Sequence, residues 1–363
     1  MRRFFLLSLF LPLGGLVYAC SSKDETPPPQ AEPDGSAPPN PTTTGTNPPP
    51  PPPDDGGFNF DATTDAGGYV DPIKGAPAPT MATEVVGATF IDGIQWRATD
   101  ATLYFTVPYD PGDLYKWKPG DAAPTIVRSG GYAIGNGINK ANELVTAEAV
   151  PPRVTRTRPD GGVEEIASSA DGGAAAIPFL APNDIAVSKA GILYVTDPAY
   201  QNPGTNSIFW ISGQGGANLI EAFPQLDGPN GVSISPDDKT LYVSFTNPPP
   251  PAVPFIAKYP LDAKGVPGVR AKFVDVGPDS DPDGLAVDDQ GDVFVARKRV
   301  TDAGATLGAV DAFKDDGTKI GSINVPEPAT SIGFGGADRK TLFIGTQGSK
   351  IYQVKLNVAG LPH

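Results

Sequence analysis

Asparagine or aspartate recurs at a nearly regular spacing from residue 92 onward, and an apolar segment follows each time. Successive positions lie 44 to 53 residues apart. Carboxylate and amide oxygens are the ligands that hard divalent cations prefer, and calcium takes six to eight of them. If the fold brings these side chains together, they form an oxygen-rich cation site with coordination left open for a substrate. The five positions are Asp92, Asn136, Asn183, Asn230 and Asp283.

A structural interpretation of the same residues is that an Asx-Gly pair makes the turn that enters each repeat. Asn183 is followed by Asp184 instead of glycine, which favours the chemical interpretation. The chain has one cysteine, Cys20, and one histidine, His363. A typical thiolate and imidazole zinc site is therefore disfavoured. Catalysis of the Ser-His-Asp type would have to take its base from the last residue, so we exclude it.

Short strands are the elements that must position these residues. A sixth copy of the unit begins at Thr330, and each copy continues, after a turn rich in Asp, Gly and Lys, into an apolar strand. A repeat of 40 to 50 residues built only from strands is typical of a β-propeller. We therefore predict an all-β, six-bladed β-propeller, in which one end of every innermost strand meets at the central axis. The six second strands begin near Leu103, Glu143, Leu193, Leu241, Val293 and Leu342.

The sequence also predicts how the ring closes. After the strand at Leu342 only one further strand, Ile351 to Leu356, remains for the sixth blade. The stretch Thr83 to Thr89 precedes the first repeat and would supply the fourth strand, which removes an exposed edge. Two proline-containing insertions, residues 168–178 and 247–254, are expected to rim the pocket.

Residues 1–19 have the pattern of an export signal: Arg2 and Arg3, then an apolar run too short to span a bilayer. The sequence around Cys20 resembles a bacterial lipoprotein, in which this cysteine is lipidated. Ser21 favours the outer membrane by the same resemblance. Residues 20–80 are rich in proline and lack hydrophobic periodicity, which predicts a disordered, lipid-anchored linker. The propeller domain is assigned to residues 81–363.

The chain is acidic, with a formal net charge of -14 and no basic cluster. Phosphate backbones would repel such a surface, so we exclude nucleic acid as a partner. We expect an exported monomer that contacts the cell-envelope membrane through its lipid anchor only.

Several motifs, in this order and spacing, resemble the family of gluconolactonases, SMP-30 (regucalcin) and luciferin-regenerating proteins. The resemblance covers residues 81–356 and implies a six-bladed propeller with a divalent cation in its central channel. Calcium is the expected ion, with Zn²⁺ or Mg²⁺ as alternatives. The motifs are Pro182-Asn183-Asp184, Pro229-Asn230-Gly231 with Ser235-Pro236-Asp237, Pro282-Asp283-Gly284, and Phe334-Gly335-Gly336.

The resemblance also implies roles for individual residues. Asp92, Asn230 and Asp283 correspond to the metal ligands, and Asn183 is a ligand or a substrate contact. Asn136, in the second repeat, is expected to contact the substrate as well. Asp92 stands where the family has glutamate, which is one methylene longer. Many bacterial lactonases have histidine where this chain has Ala149.

The leading functional hypothesis is metal-dependent hydrolysis of a lactone or related ester, acting on a small lactone or sugar-derived ligand. The cation would polarise the carbonyl, and Asp283 would take the proton of the attacking water, with Glu148 and Asp197 as alternatives. Structural interpretations of these alternatives are a solvated strand end for Glu148 and a cap before Pro198 for Asp197. A second hypothesis is a non-catalytic envelope propeller that binds a protein or glycan and holds a structural cation.

Overall fold

The computed structural model describes residues 68–362, except for residues 110, 174, 200–204, 213–215, 224–227, 249–250, 279 and 301–303. The predictions for the export signal, for Cys20 and for the linker up to residue 67 lie outside these residues. Among the residues that are described, no helix has the length and apolar character needed to cross a membrane.

Twenty-six strands and one short 3₁₀ helix, Ala98–Asp100, make up the described fold. The first strand, β1, is Thr80–Glu84. Blade 1 contains β2 Asp92–Arg97, β3 Thr102–Val107, β4 Asp113–Trp117 and β5 Thr125–Arg128, and blade 2 contains β6 Ala133–Ile138, β7 Leu144–Ala149, β8 Pro152–Thr157 and β9 Val163–Ala167. Blade 3 contains β10 Ser169–Asp171, β11 Ile177–Pro178, β12 Ile185–Val187, β13 Leu193–Asp197, β14 Asn206–Ile211 and β15 Ala217–Phe223.

The remaining blades have four strands each. Blade 4 contains β16 Pro229–Ile234, β17 Thr240–Phe245, β18 Phe255–Pro260 and β19 Ala271–Asp275. Blade 5 contains β20 Pro282–Val287, β21 Val293–Val300, β22 Thr306–Phe313 and β23 Lys319–Val325. Blade 6 contains β24 Ala329–Gly335, β25 Thr341–Thr346 and β26 Lys350–Lys355, with β1 as its outermost strand.

The six sheets close into a ring, so the predicted six-bladed propeller is confirmed. Each innermost strand contacts the innermost strands of the two neighbouring blades, in the order β2, β6, β12, β16, β20, β24 and back to β2. The predicted closure by an N-terminal strand is confirmed, but the strand is Thr80–Glu84 instead of the expected Thr83 to Thr89: β1 pairs antiparallel with β26, with Thr80 opposite Gln353 and Glu84 opposite Lys350. Strands from opposite ends of the propeller domain thus share one sheet, and β1 covers the edge that β26 would otherwise expose.

Apolar side chains pack between neighbouring blades and form the core. Phe294 and Phe334 of blades 5 and 6 meet edge to face at 5.3 Å, and Trp96 stacks on Phe343 across blades 1 and 6 at 5.7 Å. Aromatic pairs of this kind contribute beyond the area that they bury. The core therefore holds adjacent blades together and fixes the end of each innermost strand.

A bulge interrupts the entry of most innermost strands at the recurring Asx position. In β2 the pairing with β3 shifts between Asp92 and Gln95, and the same shift occurs in β6, β16, β20 and β24. A bulge re-aims side chains, which is why a residue type that is poor in strands recurs there. The glycine that follows permits close approach, since a Cβ on Gly231 would lie 2.2 Å from the Asp283 carbonyl oxygen.

The insertion at residues 168–178 does not rim the pocket as expected. It forms β10 and β11, and β10 pairs in parallel with β15 at the outer edge of blade 3. Its short strands therefore extend the sheet away from the axis. The other insertion, residues 247–254, is described only in part.

Ordered contacts with the propeller begin before residue 81. The Tyr69 hydroxyl donates to Asp292 at 3.2 Å, and the Val70 amide donates to the Gln290 side chain at 3.0 Å. Ile73 packs against the core shared by blades 5 and 6. Residues 68–79 thus form a strap on blade 5, a contact that composition alone did not indicate because the segment has no hydrophobic period.

Candidate active site

Four of the predicted site residues line one cavity at the axis of the propeller. Asp92, Asn183, Asn230 and Asp283 form its floor, and its volume is about 450 Å³. Asp92, Asn230 and Asp283 lie at the entry of β2, β16 and β20, and Asn183 lies two residues before β12. The ring of blades therefore brings together residues that are up to 191 positions apart in the chain. A cavity of this size admits a small organic molecule.

The two floor carboxylates have no cationic partner. Asp92 is buried and Asp283 is half-buried, and no Lys or Arg of the described residues forms an ion pair with either one. Burial raises the pKa of Asp92 from 3.8 to about 6, although hydrogen bonds from the Gly93 amide and Ser331 oppose the rise. Burial, followed by the charges of Asp92 and Asp184, raises the pKa of Asp283 well above its ordinary value. The site thus holds negative charge that a bound cation would stabilise.

The two floor amides differ in how they are held. The Asn230 side-chain nitrogen donates to the Thr246 hydroxyl at 3.1 Å, which turns the amide oxygen away from that partner. Within the described residues the Asn183 side chain makes no hydrogen bond, although its backbone amide donates to the Thr196 carbonyl at 2.8 Å. Asn183 therefore has a fixed backbone and a side chain that is free to bind a ligand.

Hydroxyl groups of one blade fix the site residues of the next. Thr196, at the end of β13, donates to the Asn230 carbonyl at 2.6 Å, and Ser244, in β17, donates to the Asp283 carbonyl at 2.7 Å. Thr246 donates to the Pro282 carbonyl at 2.7 Å. These bonds act on the backbone at the ligand position, so they set the direction in which each floor side chain points.

Asp184 adds a third buried carboxylate next to the floor. One of its oxygens accepts the Ile185 amide at 2.8 Å, and the other accepts the Val232 amide at 3.0 Å. Burial, with a contribution from the charge of Asp92, raises its pKa to about 7. Because backbone donors occupy both oxygens, Asp184 joins blades 3 and 4 and adds to the negative field without facing the cavity.

The donor set fits a hard divalent cation. Two carboxylates without cationic partners and two amides supply oxygen ligands, and the chain offers no thiolate or imidazole among the described residues. No cluster of three or more His, Cys, Asp or Glu ligands is found within that part of the chain, so the set depends on its two asparagines. Oxygen ligands of this mixed kind suit calcium better than zinc.

Glu148 and Asp197 lie outside the floor and have other partners. Glu148 is fully buried, pairs with Arg128 at 2.6 Å and Arg153 at 2.7 Å, and accepts a bond from Thr155 at 2.8 Å. Asp197 accepts the backbone amides of Leu180 at 2.8 Å and of the next residue at 2.5 Å. Burial raises the pKa of Asp197 to about 6 in spite of these bonds. Both carboxylates support the loops that form the cavity.

Asn136 does not reach the cavity. Its side-chain nitrogen donates to the Gly93 carbonyl at 2.8 Å, and its oxygen accepts the Thr146 hydroxyl at 2.9 Å. The bulge in β6 falls between Ala133 and Asn136, which makes Ile134 the counterpart of Asn230. The alignment that put Asn136 among the axial residues is therefore two residues out of register, and Asn136 instead joins blades 1 and 2.

Most of the cavity wall was missed by sequence reasoning because it comes from loops outside the repeat. Of the wall residues, the sequence motifs drew attention only to Ala149, and the others follow only from the fold. Tyr132 has a left-handed backbone with φ of 46°, a conformation that non-glycine residues adopt rarely and often at functional sites. The wall residues are Phe90, Pro108, Tyr109, Tyr132, Ile134, Ala149, Val150, Leu180 and Ala181.

Comparison with known proteins supports one family. The model of the SMP-30/gluconolactonase/LRE-like region matches residues 90–348. Gluconolactonase from Zymomonas mobilis is 34% identical over 185 residues, which are 46% of this chain and 48% of that protein, so the chain spans about half of its length. Pentonolactonase from Haloferax volcanii is 26% identical over 261 residues, 71% of this chain and 81% of that protein.

A solved structure agrees with these matches. The gluconolactonase of Xanthomonas campestris superposes with a TM-score of 0.63 at 25% identity, over 77% of this chain and 95% of that protein. The matched region contains the whole cavity floor, from Asp92 to Asp283. This chain belongs to the SMP-30/gluconolactonase/LRE-like family.

Proposed function

We propose that this protein hydrolyses a lactone or a related cyclic ester, with a divalent cation, calcium first, held by Asp92, Asn183, Asn230 and Asp283. The observation that carries the proposal is the convergence of two carboxylates, neither of which pairs with a Lys or Arg of the described residues, and two amides on the floor of one cavity. The names of the gluconolactonase and pentonolactonase relatives support the lactone substrate.

The chain's own groups have separable tasks in this reaction. A bound divalent cation supplies Lewis acidity at the substrate carbonyl. Asp283 accepts a proton from water as the water oxygen adds to the carbonyl carbon. The ring carbon–oxygen bond then breaks, the ring oxygen takes up that proton, and a hydroxy acid leaves. Asn183, whose side-chain amide makes no hydrogen bond within the described residues, is available to both the cation and the substrate.

Asp283 is the preferred proton acceptor because of its surroundings. The alternatives, Glu148 and Asp197, have both carboxylate oxygens engaged by arginines or backbone amides. An acceptor must be within reach of the water, and of the three only Asp283 lines the cavity.

Turnover of D-glucono-δ-lactone and δ-valerolactone by the full-length protein tests the proposal. Acid release is followed in a pH-stat above the spontaneous rate, first after treatment with chelator and then with Ca²⁺ restored. We expect catalysis that chelator abolishes and Ca²⁺ restores, and at least a 100-fold loss in Asp283→Ala. Asp275→Asn removes an equivalent charge from the surface, where Asp275 pairs with Lys272, and keeps full activity. Absence of turnover on every lactone would refute the proposal.

We also propose that the protein is exported and lipid-anchored at the outer membrane through Cys20. The support is the sequence pattern around residues 1–20. Incorporation of labelled palmitate into the wild-type protein, and its loss in Cys20→Ser, is the expected result. Equal labelling of the two proteins would contradict it.

A further inference from the structure

The cavity has a polar floor and an apolar wall. Above the four floor residues, the described wall carries neither Lys nor Arg, and none of its side chains is Ser, Thr, Asn or Gln. Its polar side-chain groups are the hydroxyls of Tyr109 and Tyr132. A ligand that reaches the floor therefore buries most of its remaining surface against carbon atoms.

The aromatic part of this wall is preorganised. Phe90 and Tyr109 meet edge to face with ring centroids 5.5 Å apart. Tyr132 is fixed by its backbone: a Cβ on Gly112 would lie 2.3 Å from the Tyr132 Cα, so only glycine permits this approach. The Tyr132 carbonyl also accepts the Ala149 amide at 3.1 Å. The backbone of Tyr132 is therefore held in place at the cavity wall.

Large apolar side chains are exposed at the mouth of the cavity. Val150 is 56% exposed and Tyr109 is 53% exposed. Exposed apolar groups next to a concave site mark a ligand-binding surface, because covering them removes them from water. They adjoin the half-buried Leu180 of blade 3 within the same cavity.

This wall discriminates between classes of lactone. A sugar lactone carries several hydroxyl groups, and each one that loses water without gaining a partner weakens binding. An alkyl or aromatic substituent instead gains from burial against Phe90, Val150 and Leu180. The floor treats the two classes alike, since both present the same ester group. The difference in affinity therefore arises at the wall.

We infer that the substrate is a lactone with an apolar substituent, alkyl or aromatic, and not a polyhydroxylated sugar lactone. The inference rests on the proposed lactone hydrolysis and adds the substrate class. Phe90, Tyr109, Tyr132, Val150 and Leu180 are its specificity-determining residues. Water adds to the carbonyl carbon and the ring opens as before, giving an apolar hydroxy acid.

Comparison of kcat/KM for four lactones on the full-length protein with Ca²⁺ tests the inference. The set is δ-valerolactone, which has no substituent, δ-decalactone, which has a pentyl group, 3,4-dihydrocoumarin, which has a fused aromatic ring, and D-glucono-δ-lactone. We expect kcat/KM for the pentyl and aromatic substrates to be at least about tenfold above those of the other two, a difference of about 1.4 kcal/mol. The gain should appear mainly in KM.

Two variants locate the preference at the wall. Val150→Asn, at an exposed position, should lower the ratio of kcat/KM for δ-decalactone to that for δ-valerolactone at least threefold. Val269→Asn makes the same change at an 87% exposed position outside the cavity and should keep the ratio. A glucono-δ-lactone kcat/KM equal to or above that of δ-decalactone, or a ratio unchanged in Val150→Asn, overturns the inference while lactonase activity stands. No turnover of any of the four refutes the lactonase itself.

Discussion

The Ser244 hydroxyl donates a hydrogen bond of 2.7 Å to the backbone carbonyl oxygen of Asp283. Ser244 lies in blade 4 and Asp283 begins blade 5, so the bond crosses the boundary between two modules. Ser244 is fully buried, which protects this bond from competition by water. The same relationship holds between Thr196 and Asn230 one blade earlier. Two of the four proposed ligands are thus aimed by the preceding blade, so their placement depends on how neighbouring blades pack.

Ser244→Ala should weaken cation binding without unfolding the protein. Loss of one buried hydrogen bond costs about 1 kcal/mol of stability, whereas loss of a group that orients a metal ligand costs about tenfold in metal affinity. Calorimetric titration with Ca²⁺ measures the second effect. Ser322→Ala removes a hydroxyl that donates to Asp311 at 2.6 Å on the outer strand of blade 5, and its Ca²⁺ affinity should equal that of wild type. Equal affinities in all three proteins would show that the bond has no orienting role.

Asp283→Asn should separate the effect of the negative charge on activity from the effect of side-chain shape. The amide is nearly isosteric, so the cavity keeps its form, but it removes one of two negative ligands and the proposed proton acceptor. We expect kcat/KM to fall about 100-fold or more, and the Ca²⁺ concentration needed for half-maximal activity to rise. Steady-state kinetics across a Ca²⁺ series measures both quantities. Activity within threefold of wild type at saturating Ca²⁺ would exclude Asp283 as the acceptor.

Glu148→Gln should reduce stability much more than catalysis. The substitution leaves Arg128 and Arg153 without the buried carboxylate that pairs with both, at a cost of about 3 kcal/mol of unfolding free energy. Urea unfolding measures this loss, and kcat/KM of the folded protein should stay within about threefold of wild type. Glu164→Gln breaks pairs that water screens, and its effect on stability should be much smaller. A 100-fold loss of kcat/KM in folded Glu148→Gln would restore it as a catalytic base.

Stability should fall with rising pH because of Asp288. This side chain is fully buried, and one carboxylate oxygen has no hydrogen-bond partner among the described residues. Burial, followed by the charge of Asp292, raises its pKa from 3.8 to about 7. For an acid with a raised folded pKa, the folded state binds the proton more tightly, so stability is lost as pH rises from about 4 to 7. Asp288→Asn removes this charge, and its stability relative to wild type should rise between pH 5 and 8 by on the order of 2 kcal/mol.

Asp311→Asn is the matched control for that pH dependence. Burial acts to raise the Asp311 pKa, but bonds from Arg297, Ser322 and Lys319 outweigh it and lower the pKa. A lowered pKa contributes stability above the unfolded value, and that contribution is lost only as pH falls through the folded pKa. Asp311→Asn should therefore cost the same amount at every pH from 5 to 8. Parallel pH profiles for Asp288→Asn and wild type would contradict the assignment to Asp288.

The number of blades and the closure of the ring could be predicted because the repeat occurs six times and a strand-like segment precedes its first copy. The Asx positions at 92, 230 and 283 lie at the bulges that open β2, β16 and β20, so most of the cavity floor followed from the pattern. The prediction for blade 2 was wrong because its bulge begins at Ala133, so Ile134 lies at the axis and Asn136 lies two residues further along the strand. A bulge is not visible in the sequence, so Asn136, which lies near the expected position, was taken for the recurring Asx residue.

The cavity wall could not be predicted for a different reason. Tyr109 and Tyr132 lie in connections between strands, where neither period nor motif recurs, and they meet only after the sheets have closed. The hydroxyls of Thr196 and Ser244 did leave a signal, since Ser or Thr recurs near the end of the second strand of several blades. That signal has meaning only when the next blade is known to pack against it.

The central claim is that Asp92, Asn183, Asn230 and Asp283 hold a divalent cation at the axis. A crystal structure of the full-length protein grown with Ca²⁺, with anomalous differences collected at long wavelength, tests it most directly. We predict one strong anomalous peak in the cavity, about 2.3–2.6 Å from the side-chain oxygens of Asp92, Asn183, Asn230 and Asp283. A cavity without such a peak in Ca²⁺-saturated crystals, or a peak bound elsewhere, would contradict the claim.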